Sequence, residues 1–243
     1  MTQRLAKLIA SRGLCSRRTA EEWIREGLVT VNAQVVDNVA TNVDPGDVVK
    51  VDGRMLPDEP PKVYLLLYKP RGVLTGRDDP QGRTTVQHLI KDLRLPKVEP
   101  VGRLDFDTSG ALLLTNDGDL AHKLTHPSTR VPKRYLAKVW RVPTDRTLAQ
   151  LQKGVHLEDG RTAPCKARVA EATDTGNAWL EITVTEGRNR LVRRMLQALN
   201  HPVSKLRRES FATISIRGLE RGQARPLTKV EIERLRDLAA GKN

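Results

Sequence analysis

The chain is poor in cysteine, in aromatic residues and in long apolar runs, and each shortage closes a class of explanation. Its two cysteines among 243 residues, Cys15 and Cys165, lie far apart with no CxxC pair. That excludes a disulfide framework and supplies no zinc-ligand spacing, so both read as reduced core thiols. The five histidines show no HExxH-like spacing, and neither a phosphate-cradling glycine loop nor a dinucleotide fingerprint is present. No metal and no cofactor is therefore expected. There is no run of 18 or more apolar residues, and MTQRLAKLIASRGL lacks the apolar core and cleavage site of a secretory signal. The expectation is a cytoplasmic protein without membrane attachment, taken as a monomer. Aromatic residues are 3% of the chain, eight rings in all, too few for stacking to dominate any nucleic-acid affinity.

Positive charge is abundant. The formal net charge is +13, and excess Lys and Arg attract polyphosphates by neutralising them and releasing counterions. Residues 186–225 hold ten Arg/Lys against three Asp/Glu, a net of +7, whereas residues 151–185 hold four against five, a net of −1. More than half of the excess lies in one-sixth of the chain. Nucleic acid is the partner this selects, bound through phosphates and weakened by salt.

The pattern divides the chain in two. Leu5, Leu8 and Ile9 at helical spacing, a break at Arg12-Gly13, and Ser16 as N-cap of a helix carrying Ala20, Trp23 and Ile24 predict a helix pair. LVTVNAQVV alternates around a turn at Asn32-Ala33, and DPGDVVKV adds a turn and a strand. The helices carry Arg4, Lys7, Arg12, Arg17, Arg18 and Arg25, a surface suited to RNA phosphates. The stretch QRLAKLIASRGLCSRRTAEEWIREGLVTVNAQVV resembles the αL RNA-binding domain named after small-subunit ribosomal protein four. GRMLPDEPPK (53–62), with three prolines, reads as a linker. An RNA-binding domain is thus expected over 1–57 and a second domain over 58–243, with 58–62 joining them. Beyond it, VYLLLY, TVQHLI, ALLLT, DLAHKLTHP, RYLAKVWRV and WLEITVT alternate strand and helix patterns. They predict an α+β domain with a mainly antiparallel mixed sheet flanked by helices.

The stretch VGRLDFDTSGALLLTND holds two acids, and their residue types alone leave several readings open. Asp105 and Asp107 can close a turn at Thr108-Ser109-Gly110. DxDxT also resembles the aspartyl motif of haloacid-dehalogenase phosphatases, but here the apolar strand follows the acids rather than preceding them. A glycosidase pair needs carboxylates that flank a bond, and residues two apart on an extended segment share a face.

Taken with its surroundings, GRLDFDTSGALLLTNDGDLAHKLTHPSTRVPKRYLAKV resembles the signature of the pseudouridine synthases, specifically the RsuA/RluB-type branch that modifies ribosomal RNA. The resemblance extends upstream to KPRGVLTGRDDPQGRTTVQHLI and downstream to EGRNRLVRRM and PVSKLRRESFATISIRGLERGQARPLT. It implies an enzyme that isomerises a flipped-out uridine of ribosomal RNA without a cofactor. Asp105 falls on the family's catalytic aspartate, Tyr135 on the tyrosine that packs against the target base, and Arg193 on the arginine that pairs with the aspartate. Asp107 is left to the turn. Leu191 stands where family members commonly carry glutamine. A helix over about 188–199 places Arg190, Arg193, Arg194 and Gln197 on one face and Leu191, Met195 and Leu199 on another. Arg103, Arg188, Arg190, Arg207 and Arg208 are expected to contact RNA phosphates or backbone, together with Arg4, Lys7, Arg17 and Arg18. The stretch Asp78-Asp79-Pro80-x-Gly82-Arg83-x-Thr85-Val86 resembles the RluB-type members and so favours large-subunit RNA; the expected partner is ribosomal RNA or a ribosome-assembly intermediate. A non-catalytic assembly factor on the same scaffold is the reading from a different class.

Overall fold

The computed structural model describes residues 2–76, 78–174 and 176–242, so Arg77 of the upstream stretch lies outside the described residues. Contacts divide the chain into two compact units, Met1–Lys62 and Val63–Asn243.

In the first unit, helices Leu5–Ser11 and Arg17–Arg25 pack through Leu5, Ile9, Ala20 and Ile24. The Ser16 hydroxyl accepts from the Thr19 amide (3.0 Å), satisfying a donor the helix start leaves free. Four antiparallel strands follow in the spatial order Gln34–Val35, Val29–Val31, Val49–Val51, Arg54–Met55. Asn32 and Ala33 both take positive φ (49° and 67°), the backbone of a tight two-residue hairpin. Arg54 and Met55 pair with Val51 and Lys50, so part of the proline-rich stretch read as linker is a strand. Its prolines lie beyond the hairpin, which leaves the ladder donors of 54–55 intact.

The second unit is built on a nine-stranded sheet, whose main path runs Lys166–Ala172, Ala178–Val184, Lys133–Val139, Val203–Phe211, Thr108–Thr115, Tyr64–Lys69, Ala224–Pro226. Val203–Phe211 runs parallel to Thr108–Thr115 and every other recorded pairing in this sheet is antiparallel, as a mainly antiparallel mixed sheet requires. The runs YLLLY and ALLLT are apolar at every position because both faces are covered. Leu66, Tyr68 and Leu113 meet helices Gly118–Thr125 and Lys229–Ala239 on one face, while Leu65, Leu67, Leu112 and Leu114 meet helix Val86–Ile90 on the other. A further cluster packs Leu191, Val192, Met195 and Leu196 of helix Leu191–Ala198 against Leu180 and Ile182. Cys15 and Cys165 sit half-buried at the edges of their cores. Burial and the nearby Glu186 push the Cys165 thiol up to about 11, so it is an inert group. Among the described residues no helix is long and apolar enough to cross a membrane.

Two local expectations change. Thr108-Ser109-Gly110 is not a turn but the start of a strand; the turn lies just before it, closed by the Thr108 amide on the Asp105 carbonyl (3.0 Å). Gly110 has φ +120°, and a Cβ there would lie 2.1 Å from the Arg208 carbonyl oxygen, so only glycine lets the two parallel strands meet. The helix expected from 188 begins at Leu191, with Arg190 before it in the left-handed region (φ 48°).

Candidate active site

Thr108, Leu206, Arg208, Lys133 and Tyr135, from three adjacent strands, line a cavity of about 420 Å³ that also takes in Asp105. Register aligns them: Arg208 lies opposite Gly110 on one side and Tyr135 on the other. Cross-strand partners project to the same face. Tyr135 therefore stands beside Arg208 over the sheet, half-buried between two apolar clusters.

Asp105 is held at the cavity's edge by its neighbours. Leu104 is buried, its carbonyl accepts from Thr75 Oγ1 (2.7 Å), and the Gly72 amide donates to the Phe106 carbonyl (2.8 Å). With Thr108 buried at the strand start, the acid is fixed from both sides, and its side chain keeps 29% of its exposure. A carboxylate so placed can reach a group inside the cavity.

The arginines are distributed differently from the expectation. Arg193 does not pair with Asp105: its Nη2 lies 3.1 Å from Asp107 Oδ2 and donates to the Asp107 carbonyl (3.1 Å), while Nη1 donates to Val203 O (3.1 Å). The guanidinium beside Asp105 is that of Arg190, whose Nη1 lies 3.5 Å from Asp105 Oδ2. Arg190 also grips Asp107 with both nitrogens, at 3.1 and 3.2 Å. Burial raises the Asp107 carboxyl, but the Arg190 hydrogen bond and the charges of Arg193 and Arg190 outweigh it and hold it below its usual range. Asp107 thus ties the turn to the helix that carries Arg193, a larger part than closing a turn. Arg190 reaches both acids from a left-handed backbone, a conformation of about 1 kcal/mol or more that clusters at functional sites. Leu191, where relatives' glutamine was noted, is buried among apolar side chains at the cavity wall.

The remaining basic residues separate into surface and interior groups. Arg4, Arg17, Arg18 and Arg103 are exposed, Lys7 is half-buried, and Arg103 lines the mouth of the cavity. Arg188 is not free for phosphate: it bonds Glu186 (2.6 Å), Asp159 (3.1 Å) and the carbonyls of Gly160 (3.0 Å) and Arg161 (2.9 Å). It clamps the loop before the helix onto the His156–Leu157 hairpin. Arg207 is half-buried and ion-paired to Glu209 on the opposite face of its strand from Arg208. Arg208 is 2% exposed and cannot lie on a phosphate surface. A run of Lys-Leu-Arg-Arg in sequence looks like a solvated strand, and only the sheet order places it centrally.

Lys69 ends the strand Tyr64–Lys69. It is fully buried, with Nζ donating to the carbonyls of Pro70 (2.8 Å) and Thr108 (2.9 Å) directly behind the Asp105 turn. Burial lowers its pKa to about 8, against the pull of Asp105 and Asp107 and with the repulsion of Arg208. Three of the five histidines have structural partners: His88 completes a capping box with Thr85, His126 accepts from the Ser128 amide, and His201 bonds the Trp140 carbonyl.

Comparison with known proteins gives this geometry a context. The RNA pseudouridylate synthase family model matches residues 63–198, and the S4 domain model matches residues 3–49. The chain is 47% identical over 243 residues to ribosomal large subunit pseudouridine synthase B of Bacillus subtilis, covering 99% of both chains. It is 42% identical over 238 residues to an uncharacterized RNA pseudouridine synthase of Aquifex aeolicus, covering 97% of this chain and 94% of that one. A crystal structure of a pseudouridylate synthase superposes with a TM-score of 0.69 at 30% identity, over 96% of this chain and 99% of that one. An Asp-bearing turn, a strand tyrosine and an arginine helix around one cavity are thus the centre of a chain that belongs to the RNA pseudouridylate synthase family, with an S4 domain at its N-terminal side.

Proposed function

We propose that this enzyme isomerises a specific uridine of large-subunit ribosomal RNA, as free RNA or in an assembly intermediate, with Asp105 as the catalytic carboxylate. The observation that carries the reading is the single cavity bounded by Asp105, Tyr135 and Arg190. The name of the Bacillus subtilis relative supports the large subunit as substrate. The cavity volume of about 420 Å³ lies within the ~300–1,000 Å³ of small-ligand sites and admits a nucleoside extruded from the RNA.

The isomerisation breaks the bond between ribose C1′ and uracil N1, turns the base, and joins C1′ to C5, which then gives up its proton while N1 gains one. Asp105 attacks C1′ or removes a sugar proton, and either route needs an ionised carboxylate held still. Arg190 and Arg193, tied to Asp107, hold the turn that carries it. Tyr135 packs against the flipped base, and exposed Arg103 meets phosphate at the cavity mouth. The N-terminal unit, with Arg4, Lys7, Arg17 and Arg18, binds RNA outside the reacting nucleotide. The protein acts in the cytoplasm as a monomer, with light scattering of the purified chain expected to return one chain per particle.

The test is pseudouridine mapping of unmodified large-subunit ribosomal RNA, free and in assembling particles, after incubation with the intact protein or Asp105→Asn. One new site with the intact protein and none with the variant is expected. No site in either reaction, with the fold intact, would remove the proposal.

A further inference from the structure

The cavity floor carries positive charge without an answering carboxylate. Arg208 is 2% exposed, and only its Nε is hydrogen-bonded, to the Ala111 carbonyl (2.7 Å). Its Nη2 is buried with no partner, as is the hydroxyl of Thr108 on the adjoining strand. Lys133, on the same cavity, bonds only the carbonyls of Val131 (2.9 Å) and Thr185 (3.3 Å). Both cations flank Phe211, at 5.2 and 5.7 Å from the ring centroid. Among the described residues no carboxylate ion-pairs with either: of the two acids lining the cavity, Glu186 is held by Arg188 and the Ala163 amide, and Asp105 lies beside Arg190. An unpaired guanidinium left in a dry interior is strongly unfavourable unless something supplies negative charge.

Two anions are available in the reaction, a phosphate of the RNA and the base itself. A phosphate stays on the backbone at the cavity mouth and does not reach a side chain 2% exposed on the floor. The base does, because it enters when the nucleotide is flipped. When the C1′–N1 bond breaks, both electrons leave with uracil, whose negative charge spreads over N1 and the two ring carbonyl oxygens, while C1′ is compensated through Asp105. The charge disappears when C5 bonds to C1′; the C5 proton then leaves and N1 takes up a proton, so the product is an isomer of the starting uridine. Charge of this kind is stabilised best by donors already in place, in a water-poor site.

We propose that Arg208, with Lys133 beside it, holds the detached uracil anion through its carbonyl oxygens while the base turns. The inference rests on the isomerisation proposed above. It assigns the orphaned donors to the intermediate and explains why cations rather than amides line the floor: a diffuse positive field serves the ring in both orientations, where a fitted hydrogen-bond pair serves one.

The test replaces Arg208 with Met and with Lys in the full chain and measures urea stability, and kcat and KM on unmodified large-subunit ribosomal RNA, both as a transcript and in assembling particles. The expectation for Arg208→Met is a fall in kcat of roughly 10²-fold, the loss seen when one oxyanion donor is removed. KM should change less than threefold and stability should hold or rise, because an uncompensated buried charge has gone. Arg208→Lys should recover part of kcat. A structural role predicts the opposite pairing, lost stability with kcat preserved in the folded fraction. If Arg208→Met does not fold, Lys133→Met carries the test, with a smaller kcat loss at unchanged KM expected. Turnover within threefold of wild type in the folded variant overturns the inference while the active wild type leaves the isomerisation standing; an inactive wild type overturns both.

Discussion

Two aspartates two residues apart should respond to the same substitution in opposite ways. Asp107→Asn removes a carboxylate 3.1 Å from both Arg190 and Arg193. In a medium of effective dielectric ~20 each contact has a gross Coulomb energy of about 5 kcal/mol. The net value is smaller, because Asp107 keeps 34% of its side-chain exposure and Arg190 44%, so that pair behaves as a surface one of at most about 1 kcal/mol. Arg193 is only 11% exposed, and losing its partner leaves a half-buried charge with carbonyls alone, which adds roughly 1 kcal/mol more. A total near 2 kcal/mol should appear as lost stability in urea unfolding. Arg190 then relaxes toward Asp105, already 3.5 Å away, and if the whole 2 kcal/mol enters the barrier kcat falls by about 30-fold. Asp105→Asn leaves the Asp107 contacts in place, so stability should change by less than about 0.5 kcal/mol while turnover falls by ~10⁴-fold or more. Single-turnover pseudouridine formation and urea midpoints on the two variants are the measurements. Abolished turnover in Asp107→Asn with activity retained in Asp105→Asn would reverse the roles and refute the reasoning.

Gly110→Ala should destabilise by about 4 kcal/mol or more and abolish activity, since its Cβ would meet the Arg208 backbone at 2.1 Å; a folded variant with a wild-type urea midpoint would show that the strands separate freely. Lys69 is lowered to about 8 in the fold against 10.5 unfolded, so the unfolded chain binds more protons between those values and stability rises with pH across that window. The wild type should gain up to roughly 3 kcal/mol over Lys69→Met between pH 8 and 10.5, and parallel stability curves would contradict it. In RNA-binding titrations, Arg103→Ala and the pair Arg17→Ala with Arg18→Ala should each flatten the dependence of log affinity on log salt by about 0.7 per lost single-strand phosphate contact. Arg188→Ala should leave that slope unchanged and lower stability, because its donors are bound inside the protein.

Local chemistry made much of this protein legible in the sequence. Ser16 caps its helix through an amide three residues on, Asn32-Ala33 closes a two-residue hairpin, and YLLLY and ALLLT form strands, because each signal acts over a few residues. Asp105 and Tyr135 were named from motif resemblance, and the structure brings both to one cavity. What only the tertiary structure decided is which charge meets which. Arg193 turns to Asp107, 86 residues away, rather than to Asp105. Arg208 bonds a carbonyl 97 residues away and is interior, although its immediate neighbours look like a solvated basic strand. Lys69 disappears beneath the Asp105 turn because the strand Thr108–Thr115, which starts 39 residues on, pairs antiparallel with its own. Charged side chains have no periodic signature of burial. Their pairing is settled by sheet order, and sheet order depends on contacts that no short window of sequence contains.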